Sequence, residues 1–430
     1  MRIRKSMVLV GVAALSAILV ASGASAATKK GSLVIAGVIA ITGSSSFEGS
    51  NQSEGLYPAI SEINSHGGVL GHDLVYKGVD TRGDPADALP AVQQLLATTS
   101  NLVAVAGPGT TSAPTIVPVL NSAHIPMMAV AGESSYDRSP YKYFWRLFPP
   151  DSANGTAMAI WAHRKGYTRV GAVFGSDAGS QGDLPGVLAS LKALHIKLVA
   201  NITLTPDQSS YQSSVSQLIQ AHPDVIVTES DGGTAGTFFG ELKSLGGLVP
   251  VIGTEATYTT PWLTAVHSAV GSADFHRYYS GLITAVSKPT AAVTAWNKAV
   301  HAAASQLPVS AKAAAANPFA ITYYDGLIAV ALAMNAAKST NPVVFNNYIA
   351  AVSNPGKGKT VVYSYAQGVA ALNAGKHIQY FGATGLIDFN KYHNSFGNQE
   401  AVTESTSGST VNLGTVTVKA IEAVNVKGVA

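Results

Sequence analysis

The chain has 430 residues, of which 47% are hydrophobic and only 12% are charged, so it is long enough for two domains with sizeable cores. It contains no cysteine, which excludes disulfides, thiolate metal sites, cysteine nucleophiles and a lipid-modified N-terminal cysteine. Its formal net charge of +3 gives no strongly basic field of the kind that nucleic-acid binding needs.

The first 26 residues have the three parts of a secretory signal peptide. Arg2, Arg4 and Lys5 form a positive start, residues 7–20 are apolar, and residues 24–26 provide a small-residue cleavage site. The apolar run is shorter than the roughly 20 residues of a membrane span, and no later segment is expected to be long and apolar enough to span a membrane. Removal of these three charges leaves the mature chain formally neutral. We expect the mature protein to be periplasmic or secreted. It is not expected to be a lipoprotein or to insert into a membrane.

The first part of the mature chain alternates apolar runs with amphipathic stretches. Asp84 is followed by Pro85, which predicts a helix N-cap with proline in the first turn. Strands are predicted at 33–41, 74–79 and 102–106, and helices at 51–65, after Asp84 and after Gly109.

The same alternation returns after Pro149 and Pro150. Strands are predicted at 169–174, 197–203, 224–228 and 249–252, and helices at 184–194, 211–220 and 237–245. Repeated strand–helix–strand units indicate parallel sheets with helices on both faces. The fold class is therefore α/β, with two doubly wound parallel-sheet lobes. Helices are also predicted in 284–337, and late strands after Gly397.

Two hydroxyl-rich loops follow strands of the first lobe, where open parallel sheets bind their ligands. Residues 42–47 and 107–112 offer hydroxyls and free backbone N–H groups, which suit a carboxylate or another anion. Plain helix capping explains the same residues, and spacing alone favours capping. Neither loop is typical of phosphate or dinucleotide binding, because the required lysine or third glycine is missing.

Acidic residues follow strands as well. Glu133 lies in a first-lobe loop, and Asp177, Asp231 and Glu255 lie in second-lobe loops together with Glu229. Each carboxylate could meet a cationic group of a ligand. The alternative is a solvated turn residue, which is the more frequent role of an isolated acidic loop residue.

No motif indicates catalysis, a metal or a cofactor. His66, His72 and Asp73 lie in a glycine-rich turn without the spacing of metal ligands, so we interpret them as ordinary polar residues of a loop. The chain has no Gly-x-Ser-x-Gly elbow. We therefore expect no enzyme activity, no metal and no cofactor.

Several motifs, in their order and spacing, resemble the branched-chain amino-acid binding proteins of ABC importers. They are Gly37–Ala40 with Thr42-Gly43, Glu62-Ile63-Asn64, Gly67–Gly71, Asp80, Gly83–Pro85, Val105–Pro108 with Ser112, Phe144–Arg146, Asp151-Ser152, Pro250–Gly253 and Thr384-Gly385. The resemblance covers nearly all of the mature chain. It implies a type I periplasmic binding protein fold, in which a hinge of three crossovers joins the two lobes.

The resemblance also implies where the lobes begin and end. The first lobe is expected at 28–150 plus 284–381, and the second at 151–283 plus 382–430. The crossovers are expected near 148–152, 280–288 and 381–388. A ligand would lie between the lobes and close them about the hinge.

Site residues follow from the same resemblance. A ligand carboxylate is expected at Thr111 and Ser112 and at residues 131–134, which are Ala131, Gly132, Glu133 and Ser134. Phe47 corresponds to an aromatic position at the cleft mouth. Glu255 corresponds to the acidic residue that meets the ligand's α-ammonium.

This chain departs from the family at three of these positions. Glu133 stands where a threonine is usual, and Gly179 and Gly232 stand where two aromatic rings are usual. Loss of the rings is expected to enlarge the pocket, and the added carboxylate argues against a leucine-like ligand. Asp177 and Asp231 also favour a larger or more cationic solute, such as an amide-bearing polyamine or a basic amino acid.

Three functions fit these observations. The first is capture of a small polar, amino-acid-like solute by a monomer that docks on ABC permease subunits. The second is a ligand-sensing input protein for a membrane receptor, and the third is an enzyme on the same fold. The sequence favours them in that order.

Overall fold

The computed structural model describes residues 30–43, 46–285, 291–395 and 397–424, without the side chain of Phe47. The predicted signal peptide and part of the second predicted crossover lie outside these ranges.

The first sheet has five strands, and all its strand pairs are parallel. The strands are β1 (Lys30–Ile39), β2 (His72–Asp80), β3 (Leu102–Ala106), β4 (Met127–Ala129) and β5 (Phe144–Arg146), in the spatial order β2-β1-β3-β4-β5. Apolar β-branched runs such as that of β3 are fully buried, because helices cover both faces of the sheet.

Three helices connect these strands: α1 (Phe47–Ser65), α2 (Pro85–Thr98) and α3 (Ala113–Ser122). The predicted start of α2 is confirmed, since the Asp84 carboxylate accepts a hydrogen bond from the backbone N–H of Ala86 at 2.8 Å. Pro90 lies within α2 without ending it.

The chain then builds the second lobe from alternating helices and strands. The strands are β6 (Arg169–Gly175), β7 (Lys197–Leu204), β8 (Val225–Glu229), β9 (Val251–Gly253) and β10 (Tyr279–Thr284). The helices are α4 (Asp151–Arg164), α5 (Ala178–Ala193), α6 (Gln212–Ala221), α7 (Gly232–Ser244), α8 (Thr260–Val270) and α9 (Ser272–Tyr278).

A helical segment returns to the first lobe. It contains α10 (Ala291–Ala302), α11 (Ala311–Ala316), α12 (Pro318–Ala337), α13 (Pro342–Phe345), α14 (Ile349–Ser353) and α15 (Tyr365–Asn373). With its 20 residues α12 is long and apolar enough to cross a membrane, which corrects the expectation that no later segment is. Within the protein it is a core helix, since 83% of its apolar window is buried.

The last strands complete a small sheet and the edge of the second-lobe sheet. The small sheet contains β11 (Thr360–Val362), β12 (Ile378–Gly382) and β13 (Gly385–Leu386). The chain ends with β14 (Gln399–Glu404), β15 (Thr410–Val416) and α16 (Val418–Val424). The seven-stranded sheet has the order β15-β14-β10-β9-β8-β6-β7. Its β14–β15 edge is an antiparallel hairpin that pairs with β10, so the late strands predicted after Gly397 lie at the edge of this sheet.

Each large sheet has a buried apolar cluster on both faces. The chain passes from the first sheet to the second just before Asp151. Ile387 and Phe389 still belong to the core of the first lobe, where the ring of Phe389 packs edge-on against Trp145 at 5.0 Å. The third crossover therefore lies between Phe389 and β14, later along the chain than the resemblance implied.

Candidate functional site

The loop after β3 presents a free hydroxyl group on the first-lobe side of the cleft. Gly107 has φ of 99°, and a Cβ there would stand 2.2 Å from the carbonyl oxygen of Val38, so this turn requires glycine. Ser112 precedes α3 and is 3% exposed, yet its side chain forms no capping hydrogen bond. Thr111 beside it is exposed. The expected capping role is thus absent at Ser112, which leaves its hydroxyl available.

Glu48 is an acidic residue at this loop that the sequence did not indicate. A Cβ on Gly109 would stand 2.7 Å from Glu48 Oε2, so the carboxylate lies directly against the loop. Burial raises the pKa of Glu48 to about 7. The neighbouring Phe47 begins α1, and its side chain lies outside the described part of the chain.

Arg146, at the end of β5, fixes the loop 131–134. Its guanidinium donates to the carbonyl oxygens of Gly132 at 3.4 Å and Glu133 at 3.1 Å. It also pairs with Asp137 at 2.8 Å, and Ser152 donates to the other oxygen of that carboxylate at 2.9 Å. The positive charge of Arg146 is therefore already matched by Asp137.

The side chains of loop 131–134 have different surroundings. Ala131 and Gly132 are buried, whereas Ser134 is exposed. Glu133 is half-buried, and its Oε2 atom is buried without a hydrogen-bond partner in the described structure. Burial raises the pKa of Glu133 to about 7, although Arg146 opposes the shift.

Asp151 lies at the junction of the two lobes. Its backbone N–H donates to the carbonyl oxygen of Gly132 at 2.9 Å. A Cβ on Gly132 would be 1.6 Å from Asp151 Oδ1, and a Cβ on Gly182 of α5 would be 2.1 Å from Oδ2. Burial first, and then the charges of Glu229 and Glu133, raise the pKa of Asp151 well above its ordinary value. The carboxyl group is thus enclosed by backbone from both lobes.

Asp183 and Glu229 form a carboxyl pair beside Asp151. Asp183 is 2% exposed and lies within hydrogen-bonding reach of Glu229. Thr254 donates a short hydrogen bond to Glu229 Oε2. Burial raises the pKa of both carboxyl groups, and for Asp183 the charges of Glu229 and Asp151 raise it further. The sequence prediction missed Asp183 and chose Asp231 rather than Glu229 from its loop.

Of the two glycines expected to widen the cleft, only Gly179 opens towards this carboxyl pair. A Cβ on Gly179 would lie 3.8 Å from Glu229 Oε1. At Gly232 the carbonyl oxygen of Pro261 stands 3.0 Å from the Cβ position, so α8 occupies the space of the missing ring. Asp231 is exposed, and its carboxylate caps α7 by accepting from the N–H of Thr234 at 2.9 Å.

Glu255 follows β9 and is 4% exposed. Its Oε2 atom accepts hydrogen bonds from Thr284, from the hydroxyl at 2.8 Å and from the backbone N–H at 3.3 Å. Its Oε1 atom is buried without a partner in the described residues. Burial raises the pKa of Glu255 to about 7. Thr284 ends β10, so this carboxylate lies next to the range 280–288 in which the second crossover was predicted.

A separate small apolar pocket lies in the second lobe between β9, α7, α8 and α9. Phe239, Trp262 and Phe275 line it. None of the carboxyl groups above borders this pocket, so it is distinct from the cleft residues.

A family model described as periplasmic binding protein matches residues 32–355, which is more than half of the chain. The chain belongs to the periplasmic binding protein family. A curated relative is the chemotactic signal transduction system substrate-binding protein BasB of Halobacterium salinarum, 25% identical over 344 residues that cover 77% of this chain and 76% of the relative.

Two solved structures resemble this binding protein at 17% identity. The branched-chain amino acid transporter substrate binding protein LivJ of Streptococcus pneumoniae, in complex with isoleucine, has a TM-score of 0.68 and covers 90% of this chain and 99% of its own. A solute binding protein of R. palustris in complex with benzoate has a TM-score of 0.69, with 90% and 96% coverage. These similarities confirm the predicted type I periplasmic binding protein fold.

Proposed function

We propose that this protein captures a small, amine-bearing polar solute, amino-acid-like or an amide, and delivers it to an ABC importer. The observation that carries the proposal is the half-satisfied carboxylate of Glu255, buried next to the predicted second crossover with one oxygen unpartnered. A buried acceptor of this kind is expected to be completed by a donor on the ligand. The protein would act outside the cytoplasm, as a monomer and without chemistry of its own.

The two walls of the cleft offer different groups to such a solute. Ser112 and the backbone around Ala131 and Gly132 are uncharged donors, which suit a carboxylate or an amide oxygen. Glu255 and the other second-lobe carboxyl groups suit an amine. Charge-assisted hydrogen bonds in a desolvated cleft provide affinity. A solute that contacts both walls favours the closed arrangement of the lobes, and the closed form would then dock on the permease.

The test is thermal unfolding of the mature protein with a panel of amino acids, amines, amides, urea and aromatic acids. A ligand that binds only the native state raises the Tm, by an amount that grows with its excess over Kd. We expect a clear rise with at least one amine-bearing solute. Calorimetric titration of Glu255→Gln should then show affinity at least about 30-fold weaker, because the variant loses one partner of a buried charged pair.

Glu422→Gln is the matched control, because Glu422 is exposed on α16. It should bind the same solute with unchanged affinity. A best ligand without any amino group, or full affinity in Glu255→Gln, would contradict the role assigned to Glu255 while leaving the family membership intact.

A second candidate function is ligand sensing, since a curated relative is a substrate-binding protein of a chemotactic signal transduction system. The binding event would be the same, and the partner would be a membrane receptor rather than a permease. Reconstitution distinguishes the two. Stimulation of a permease's ATP hydrolysis by the liganded protein supports import, whereas stimulation of a receptor-coupled kinase supports sensing.

A further inference from the structure

Three carboxyl groups meet where the first crossover enters the second lobe. Asp151 begins α4, Asp183 lies on α5 and Glu229 ends β8, and Glu133 of the first lobe adds a fourth charge to Asp151. Within the described residues none of the four forms an ion pair. The nearby Arg146 opposes the raised pKa of Asp151 and Glu133, but its ion pair is with Asp137. Buried carboxylates without a counter-charge are costly, so a group of this kind requires protons or a cation.

Three oxygens of this group are buried without a hydrogen-bond partner among the described residues. Asp183 is 2% exposed, and its Oδ1 atom has no hydrogen-bond partner in the described structure. Asp151 Oδ2 and Glu133 Oε2 are also buried without a hydrogen-bond partner among the described residues. In native proteins about 90% or more of buried polar atoms are hydrogen-bonded. Three unpartnered oxygens in one network therefore point to a ligand with several donors.

Protons alone do not complete the network. One shared proton satisfies the contact between Asp183 and Glu229, but Asp151 Oδ2 and Glu133 Oε2 come from different segments and still lack donors. An ammonium group has three N–H donors and a guanidinium has five. A metal ion fits less well, because the described residues contain no group of three or more side chains arranged to hold one, and Ca²⁺ takes 6–8 oxygen ligands.

We propose that Asp151, Asp183 and Glu229, with Glu133 across the lobe junction, form a second cation subsite for a distal ammonium or guanidinium group of the solute. This subsite rests on the proposed function, in which Glu255 meets the first amine. The solute class is then one with two positive groups, as in basic amino acids and diamines.

Glycines keep backbone close to this subsite and leave its approach open. Gly132 and Gly182 allow both lobes to enclose the carboxylate of Asp151. Gly179 leaves space next to Glu229 Oε1, where a Cβ would stand 3.8 Å away. A bulky side chain at Gly179 would cover the Glu229 carboxylate, so the glycine provides access for a distal cationic group.

The experiment compares pairs of solutes that differ in the distal charge. Lysine is compared with norleucine, and arginine with its uncharged isostere citrulline, by calorimetric titration at pH 7.5. We expect the cationic member of at least one pair to bind about 30-fold or more tightly than its neutral partner. In Asp183→Asn that difference should fall to a few-fold, because the cation loses a buried charged acceptor.

A matched control and a second variant keep the test decisive. Asp207→Asn changes an exposed aspartate and should preserve the full discrimination. Glu229→Gln should lose it like Asp183→Asn, and thermal unfolding verifies that each variant is folded. Titrations in buffers of different ionisation enthalpy should show proton release when the cation binds, because the carboxyl groups with raised pKa must ionise.

The outcomes separate this subsite from the proposed function. If neutral and cationic members bind equally, or if discrimination survives in both variants, the subsite is wrong while amine capture at Glu255 stands. If Ca²⁺ or Mg²⁺ alone stabilises the protein and blocks the organic cations, the subsite belongs to a metal and this proposal is overturned. If no amine-bearing solute binds, both proposals fail.

Discussion

Two groups of buried charges lie next to one another at the lobe junction, and they differ in how their charges are balanced. In the first, Arg146 is fully buried and pairs with Asp137, which also accepts a hydrogen bond from Ser152. In the second, Asp151 and Asp183 contribute only negative charge and have unpartnered oxygens. We call the first group complete because its charges balance, although Arg146 Nε is buried without a partner among the described residues, and we call the second incomplete because it contains no positive charge.

The difference offers a test of which charges in this cleft are structural and which belong to the proposed binding site. A complete pair fixes the backbone, as Arg146 does by donating to the carbonyl oxygens of Gly132 and Glu133. In the proposed subsite, the incomplete group has unfavourable interactions that a ligand of the opposite charge would relieve. Substitutions in the two groups should therefore change the free energy of unfolding in opposite directions.

The largest effect is expected when the complete pair is broken. Arg146→Met leaves Asp137 buried without its counter-charge and removes the donors that fix loop 131–134. We expect a loss of about 3–5 kcal/mol in the free energy of unfolding, measured with urea. The double variant with Asp137→Asn should recover part of the loss. A loss under about 1 kcal/mol would show that the pair contributes little to the hinge.

A smaller effect of the opposite sign is expected in the incomplete group. Asp183→Asn removes a carboxyl group whose ionisation is opposed by burial and by the charges of Glu229 and Asp151. We expect the ligand-free protein at pH 8 to gain on the order of 1 kcal/mol of stability, whereas Asp137→Asn should lose stability. Thermal and urea unfolding measure both variants. Equal destabilisation by the two substitutions would indicate that Asp183 is structural and that the contrast does not hold.

Most of the fold follows from sequence pattern because each lobe repeats one unit. The apolar run of β3 and the proline-containing N-cap of α2 depend on neighbouring residues alone, and both were predicted. The antiparallel β14–β15 edge was not, because alternation of apolar and polar residues predicts a strand without its direction. The position of the third crossover depends on how Phe389 packs against Trp145, which local sequence does not encode.

The incomplete carboxyl group was harder to predict for the same reason. Asp183 is in the middle of a helix, and only the packing of α5 against α4 brings it to Asp151. The sequence did contain one signal for it. Asp183 lies among three glycines, Gly179, Gly182 and Gly186, and closely spaced glycines in a helix indicate that another helix packs tightly against it. Glu229 and Asp231 follow the same strand, and the sequence alone did not show which of them faces a ligand. The structure shows that the Asp231 carboxylate caps α7 instead.

The pH dependence of the ligand-free protein should further sharpen the contrast. Burial raises the pKa of Glu133 and Glu255 to about 7 from 4.5, so the folded state holds protons that the unfolded chain releases. Their contribution to stability is full below pH 4.5 and is lost as the pH rises through 7. The slope is at most about 1.4 kcal/mol per pH unit for each group.

Urea unfolding between pH 5 and pH 8 measures this slope. Glu133→Gln and Glu255→Gln should each make the profile flatter, whereas Glu422→Gln should not change it. A profile that is flat in the wild-type protein would contradict the raised pKa of both groups. Affinity for a cationic solute should show the opposite dependence and increase with pH, because only ionised carboxylates attract the cation.

The smallest effect is expected at Asp231, whose carboxylate caps α7 from an exposed position. Asparagine is as good an N-cap as aspartate, so Asp231→Asn should change the free energy of unfolding by less than about 0.5 kcal/mol. Because an exposed charge is screened by water, affinity for a cationic solute should change less than about twofold. Calorimetric titration measures the affinity of Asp231→Asn, and Asp183→Asn is measured in parallel for comparison. A loss as large as that of Asp183→Asn would place Asp231 in direct contact with the solute, as the sequence first indicated, and would extend the incomplete group to the outer part of the cleft.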